Sequence, residues 1–106
     1  MKPDNFFITY YEFMYKDIKI VFKNSLIIYV TKLSDCCWVL TEDTFGVYSD
    51  GETLDEALEE FKIAFIEYYE DICLPYTIIP KWTKEQRELR DFCSIYKETN
   101  GTMLRF

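Results

Sequence analysis

The chain has 106 residues, of which 49% are hydrophobic and 29% are charged, and its formal net charge is −7. This length fits a single domain over residues 1–106, and the composition excludes an intrinsically disordered chain. Because the N-terminus is polar and no apolar signal segment or membrane-length run follows it, we expect a cytoplasmic protein with no membrane partner.

The first half of the chain has the pattern of β-strands. Apolar residues alternate with lysines over residues 18–23, which is typical of a strand with one buried face. Asn24-Ser25 predicts a turn and residues 26–31 predict a second strand, so these two segments would form a hairpin. The next segments predict a turn at 32–35, a third strand at 36–41, a turn at 42–44 and a short segment at 45–48. Residues 6–15 fit either a strand or a helical turn.

The second half has helical patterns. Thr53-Leu54-Asp55-Glu56 fits a capping box, which predicts a helix that begins at Thr53. The expected inner face of this helix is an apolar stripe of Leu54, Leu58, Phe61, Phe65, Tyr68 and Ile72. Pro75 and Pro80 bracket an extended stretch at 76–79.

A second capping box, Thr83-x-x-Gln86, predicts a shorter helix that ends at Asn100-Gly101. Its expected inner face is formed by Leu89, Phe92, Cys93 and Tyr96. The predicted fold class is therefore α+β: a meander of three or four antiparallel strands, one long helix packed on one face, and a short C-terminal helix.

The residue types argue against catalysis. There is no histidine, no glycine-rich phosphate loop and no C-x-x-C pair, so we expect no enzyme activity, no metal and no cofactor. Asp43, Asp50 and Asp55 are explained as turn or helix-start residues. The four cysteines are expected to stay reduced, and the Cys36-Cys37 pair to be inert packing.

Acidic and aromatic residues are the remaining candidates for function. From Glu42 to Asp71 there are eleven acidic residues and one lysine. This block disfavours direct nucleic-acid binding, and it is either a solvated helix surface or a surface that docks onto a basic protein. Aromatic residues make up 19% of the chain, more than its core can bury, and exposed tyrosines often anchor interfaces. The candidate partner-binding residues are Glu56, Glu59, Glu60, Glu67, Glu70, Tyr48 and Tyr69.

A resemblance supports a binding role. Gly51-Glu52-Thr53, followed by Glu56-Ala57-Leu58, resembles the hallmark of the HicB-like antitoxin family, Gly-(Asp/Glu)-Thr-x-x-Glu-Ala. The resemblance covers roughly residues 18–72. It implies a partial RNase H-like β-β-β-α-β unit without catalytic carboxylates, in which a turn of this sequence joins a three-stranded meander to its helix. It also implies a protein that neutralises a small RNA-cleaving toxin by binding to it.

Two binding roles are therefore expected. The first is a HicB-like inhibitor module. The alternative is an inhibitor encoded by a phage or mobile element, similar to anti-CRISPR proteins, whose acidic face imitates nucleic acid and blocks a basic groove. Both require a basic protein partner, either a toxin or a nucleic-acid-binding effector, and a homodimer is left open.

Overall fold

The computed structural model describes residues 5–73 and 83–105, without the side chain of Cys73. The fold is α+β, as the sequence predicts, and the extended stretch expected at 76–79 lies outside the described residues. The described elements are, in chain order, β1 (Asn5–Tyr15), β2 (Ile18–Ser34), β3 (Cys37–Thr41), β4 (Tyr48–Gly51), α1 (Leu54–Cys73), α2 (Lys84–Phe92), β5 (Cys93–Thr99) and β6 (Thr102–Arg105).

The ambiguous segment at 6–15 belongs to β1, which forms a long antiparallel hairpin with β2. Their pairing runs from Asn5 opposite Thr31 to Tyr15 opposite Ile18. The turn predicted at Asn24-Ser25 is wrong, because both residues lie within β2. β1 pairs with both halves of β2. A register shift between Tyr10 and Glu12 accommodates the additional residues that β2 has between Val21 and Leu26.

The second edge of β2 is shared by two strands. Its first half pairs with β5, and its second half pairs with β3. β4 adds to β3, and β6 adds to β5. Within the described part of the chain these pairings make one antiparallel sheet of six strands, two or three more than the sequence predicts. β1 forms one edge of this sheet, and β4 and β6 form parts of the opposite edge.

The two faces of the sheet differ in burial. Along the second half of β2, Leu26, Ile28 and Val30 are buried, whereas Ile27 and Tyr29 between them are exposed. At the end of β3, Leu40 is buried and Thr41 is exposed, whereas the three residues before them are all half-buried. The sequence alternation with period two therefore produces a core face and an open face.

The long helix α1 covers the core face and begins where the sequence predicts. The Thr53 hydroxyl accepts a hydrogen bond from the Glu56 N–H at 3.1 Å. Phe61 and Phe65 are fully buried, and Phe65 packs edge-to-face on Phe22 with ring centroids 5.5 Å apart. The other four residues of the predicted stripe are partly buried.

The second helix confirms one prediction and corrects another. Both hydrogen bonds of the capping box at Thr83 and Gln86 are present. The helix ends at Phe92 rather than at Asn100, because the chain continues as β5. Asn100 and Gly101 have φ values of +51° and +80°. They form the tight turn between β5 and β6, which needs two residues in the left-handed region.

Candidate protein-binding surface

The glutamates of α1 lie on two sides of the helix. All seven carboxylates of α1 are exposed except Glu70, which is half-buried, and Lys62 is the helix's single basic residue. Because residues four and seven apart share a side of a helix, Glu56, Glu60 and Glu67 form one row. Glu59 and Glu70 lie to the other side of that row.

Glu56 and Glu60, the first two carboxylates of this row, line a groove between α1 and β4. Two adjoining hollows, of about 340 Å³ and 270 Å³, share Asp50 and Glu60 in their walls. We call this feature the acidic groove; its lining residues are Cys36, Cys37, Tyr48, Ser49, Asp50, Gly51, Glu52, Glu56, Glu60 and Ala64. Four of these residues are acidic and none is basic, so the groove attracts cations.

The junction between β4 and α1 holds the wall of the groove in place. A Cβ atom built on Gly51 would lie 2.6 Å from the Ala57 backbone nitrogen, so the strand and the helix can approach this closely only at glycine. Next to it, the buried Ser49 hydroxyl donates a hydrogen bond to the Ala57 carbonyl at 2.8 Å. These two contacts fix the first turns of α1 against β4.

The second side of the helix faces β1. The pKa of Tyr10 is raised above its ordinary value of 10.0, mainly because the phenol is partly buried and also because the Glu59 carboxylate lies nearby. Glu59 is not among the residues that line the acidic groove. Glu67 and Glu70 are also outside its lining.

The two candidate tyrosines have opposite environments. Tyr48 is 66% exposed and lines the acidic groove. Tyr69 has no exposed surface and belongs to the core. The structure therefore gathers Tyr48, Glu56 and Glu60 into one surface, and it makes Tyr69 inaccessible to a partner in this conformation.

Sequence reasoning missed Asp50 and Glu52 as members of this surface. They flank Gly51, and the close approach at that glycine brings them beside the first turns of α1. The Gly-Glu-Thr motif could have indicated both residues, because a turn of this kind places the residues next to its glycine close to the helix that follows. Asp43 and Asp55 do not line the groove, and within residues 5–73 and 83–105 no three His, Cys, Asp or Glu side chains are placed so that they could hold a metal ion.

The described cysteines are free thiols. Cys36 is exposed, Cys37 is half-buried and Cys93 is buried. Cys36 and Cys37 line one end of the acidic groove, so they are surface residues there rather than core packing.

Comparison of the chain with protein-family models, curated proteins and solved structures gives no match. Among the described residues, neither helix is long and apolar enough to span a membrane.

Proposed function

We propose that the protein is a non-catalytic binding module whose acidic groove receives a basic segment of a partner protein. The observation that carries this proposal is the convergence of Asp50, Glu52, Glu56 and Glu60 on one concave surface with no basic residue in its lining. Carboxylates that share a hollow raise the local negative potential, which draws in a cationic partner and opposes a nucleic acid.

The strand that borders the groove favours a partner segment in extended conformation. Among the described residues β4 pairs only with β3, so its second edge has backbone groups for a further strand. Alternate side chains of an added strand point to the same side. Basic residues at every second position would then face the carboxylates of α1, and the exposed Tyr48 ring would supply apolar contact area.

A HicB-like antitoxin is the form of this function that we favour. The family hallmark coincides with Gly51-Glu52-Thr53, and these residues join β4 to α1 at the groove. The three strands β2, β3 and β4 form an antiparallel meander that leads into α1, which is the arrangement that the resemblance implies. The partner would then be a small basic RNA-cleaving toxin.

A phage-type inhibitor that imitates nucleic acid is the second candidate. The observation that favours it is the spread of exposed carboxylates around α1, beyond the groove, at Asp55, Glu59 and Glu67. A mimic of this kind would present charge over the whole helix surface and block a wide basic groove. The two candidates therefore differ in whether binding depends on the groove or on the total charge of α1.

A peptide titration tests the proposal. The probe is an octapeptide of alternating lysine and threonine, and its controls are a glutamate-threonine octapeptide and an isomer with four lysines followed by four threonines. We expect the alternating peptide to bind most tightly, because only its lysines all face the carboxylate wall. Equal affinity for the two lysine peptides would contradict strand addition, and equal affinity for the glutamate peptide would contradict the proposed function.

Charge-matched variants separate the two candidates. Glu56→Gln/Glu60→Gln removes two carboxylates from the groove, whereas Glu59→Gln/Glu67→Gln removes two exposed carboxylates of α1 outside it. We expect the first variant to bind the alternating peptide about three- to tenfold more weakly and the second to bind almost like the wild type, since exposed ion pairs each contribute about 0.2–1 kcal/mol. Equal weakening by both variants would favour the nucleic-acid mimic.

A further inference from the structure

The backbone of β4 directs alternate residues towards β3 and towards the acidic groove. The Glu42 N–H donates a hydrogen bond to the Val47 carbonyl at 2.9 Å, and the register of β3 and β4, continued by one residue, puts these two residues opposite each other. In an antiparallel ladder, every second pair of opposite residues exchanges hydrogen bonds in this way. The backbone of Ser49, two residues after Val47, therefore also faces β3. Tyr48 and Asp50 direct their N–H and C=O groups to the outer edge.

The side chains of β4 alternate between the two faces of the sheet. Ser49 is buried, and a Cβ atom on Gly51 would point at the backbone of α1, so these two residues lie on the face that the helix covers. Tyr48 and Asp50 are exposed on the opposite face. Opposite residues of two paired strands point to the same face. In a strand added to β4, the residues opposite Ser49 and Gly51 would therefore point towards α1.

Both of these positions meet carboxylates of the acidic groove. The hollow that Gly51 lines also contains Glu52 and Glu56. The hollow that Ser49 lines also contains Glu60. A cationic side chain at either position would lie beside at least one carboxylate, and neither hollow has a basic residue that would repel it. The complementary charge therefore selects lysine or arginine at two positions of the added strand, separated by one residue.

We infer that the partner segment adds to β4 as an antiparallel strand with the sequence pattern basic-polar-basic-apolar. Its four residues lie, from first to last, opposite Gly51, Asp50, Ser49 and Tyr48. Every strand pair in the described part of the sheet is antiparallel, and antiparallel pairing is the more stable kind per residue. The last position is apolar because it lies beside the Tyr48 ring, which is 66% exposed. This inference rests on the proposed function and names the sequence class of its partner.

Two peptides of identical composition test the direction of the strand. The first, named here the register peptide, is Thr-Thr-Lys-Thr-Lys-Val-Thr-Thr with both ends blocked, and the second has the reverse sequence. Both peptides can place their two lysines towards α1, but in an antiparallel strand only the register peptide places its valine beside Tyr48. We expect the register peptide to bind roughly two- to fivefold more tightly, which is the effect of one favourable cross-strand pair. Equal or tighter binding of the reversed peptide would overturn the inference.

N-methylated forms of the register peptide test the backbone pattern. Methylation of the threonine between the lysines removes the N–H that donates to the Asp50 carbonyl, whereas methylation of the second lysine removes an N–H that points away from β4. We expect about tenfold weaker binding for the first form and a change within about twofold for the second. Equal binding of the two forms would overturn the inference and leave recognition of cations by the groove intact. No binding of the unmethylated peptide at low salt would overturn the proposed function as well.

A substitution in the protein tests the apolar position. Tyr48→Ala should abolish the preference for the register peptide over its reverse, because both peptides then lack an aromatic neighbour for the valine. The matched control is Tyr11→Ala, which removes a tyrosine of β1 that is 68% exposed and does not line the groove. This control should keep the preference. A preference that survives Tyr48→Ala would contradict the assigned register. Circular dichroism of both variants confirms that they are folded before binding is compared.

Discussion

Replacement of Gly51 by alanine tests the junction that builds the acidic groove. The added Cβ atom would lie 2.6 Å from the Ala57 nitrogen, 3.0 Å from the Ala57 Cα and 3.1 Å from the Glu56 carbonyl carbon. All three are backbone atoms of the first turns of α1, so no flexible side chain can move aside. The helix and β4 must separate by several tenths of an ångström instead.

The expected loss of stability follows from three contributions. Overpacking against a fixed backbone costs about 1–3 kcal/mol. Separation of α1 from β4 also weakens the buried hydrogen bond from Ser49 to the Ala57 carbonyl, which contributes about 1 kcal/mol. Alanine stabilises by about 0.4–1 kcal/mol in return, because it restricts the unfolded chain. We therefore expect Gly51→Ala to lower the free energy of unfolding by about 2 kcal/mol, which for a domain of this size lowers Tm by roughly 10 °C.

Urea unfolding of the wild type and two variants measures this effect. Gly46→Ala is the control, since nothing lies within 4 Å of a Cβ atom at that position and its φ of +76° disfavours alanine for a different reason. Its expected cost is about 1 kcal/mol from backbone conformation alone. A Gly51→Ala protein as stable as the wild type, within about 0.5 kcal/mol, would refute the close approach of α1 and β4.

Three further predictions concern other parts of the chain. Thr53→Ala should lower the free energy of unfolding by about 1 kcal/mol, because the hydroxyl that accepts from the Glu56 N–H is lost; an unchanged urea midpoint would mean that the helix does not depend on this cap. Because the pKa of Tyr10 is raised in the folded protein, the contribution of this proton to stability is fully present below pH 10.0 and is lost as the pH rises through the raised pKa; Tyr10→Phe should therefore lose less stability than the wild type above pH 10.0. Thiol titration after denaturation of protein kept from air should give four free thiols per chain, and fewer would contradict the cytoplasmic expectation.

Local patterns were sufficient to predict the helices' starts and the strand faces. Thr53 and Thr83 cap helices because their hydroxyls accept from the first-turn N–H groups, which depends only on neighbouring residues. Leu40 is buried and the next residue, Thr41, is exposed, because successive side chains of a strand point to opposite faces of the sheet. These features need no information from distant parts of the chain.

Features decided by distant pairing were predicted incorrectly. Asn24-Ser25 is a plausible turn by residue type, but β1 pairs with the chain on both sides of it and keeps β2 extended. Cys93 and Tyr96 have the spacing of a helix face, but the pairing of β5 with β2 makes this segment a strand, in which Cys93 and Ile95 share the buried face. Once β5 is a strand, Asn100-Gly101 becomes a hairpin turn.

The acidic part of the candidate surface was visible in the sequence, but its shape was not. Glu56 and Glu60 were among the candidate residues, and their spacing of four puts both on one side of α1. Asp50 and Glu52 join them only because Gly51 lets β4 approach the helix. The burial of Tyr69 depends on the core residues that pack around it, which composition cannot indicate.

The most direct test of the proposed groove is a residue-by-residue map of peptide binding. Titration of isotope-labelled protein with the alternating lysine-threonine octapeptide, followed by NMR of the backbone amides, locates the contact without any substitution. The proposed function predicts that the largest shifts fall in Tyr48–Gly51 and in the first two turns of α1. Shifts that are spread evenly over the exposed face of α1, or that are centred on β1 or β6, would contradict it.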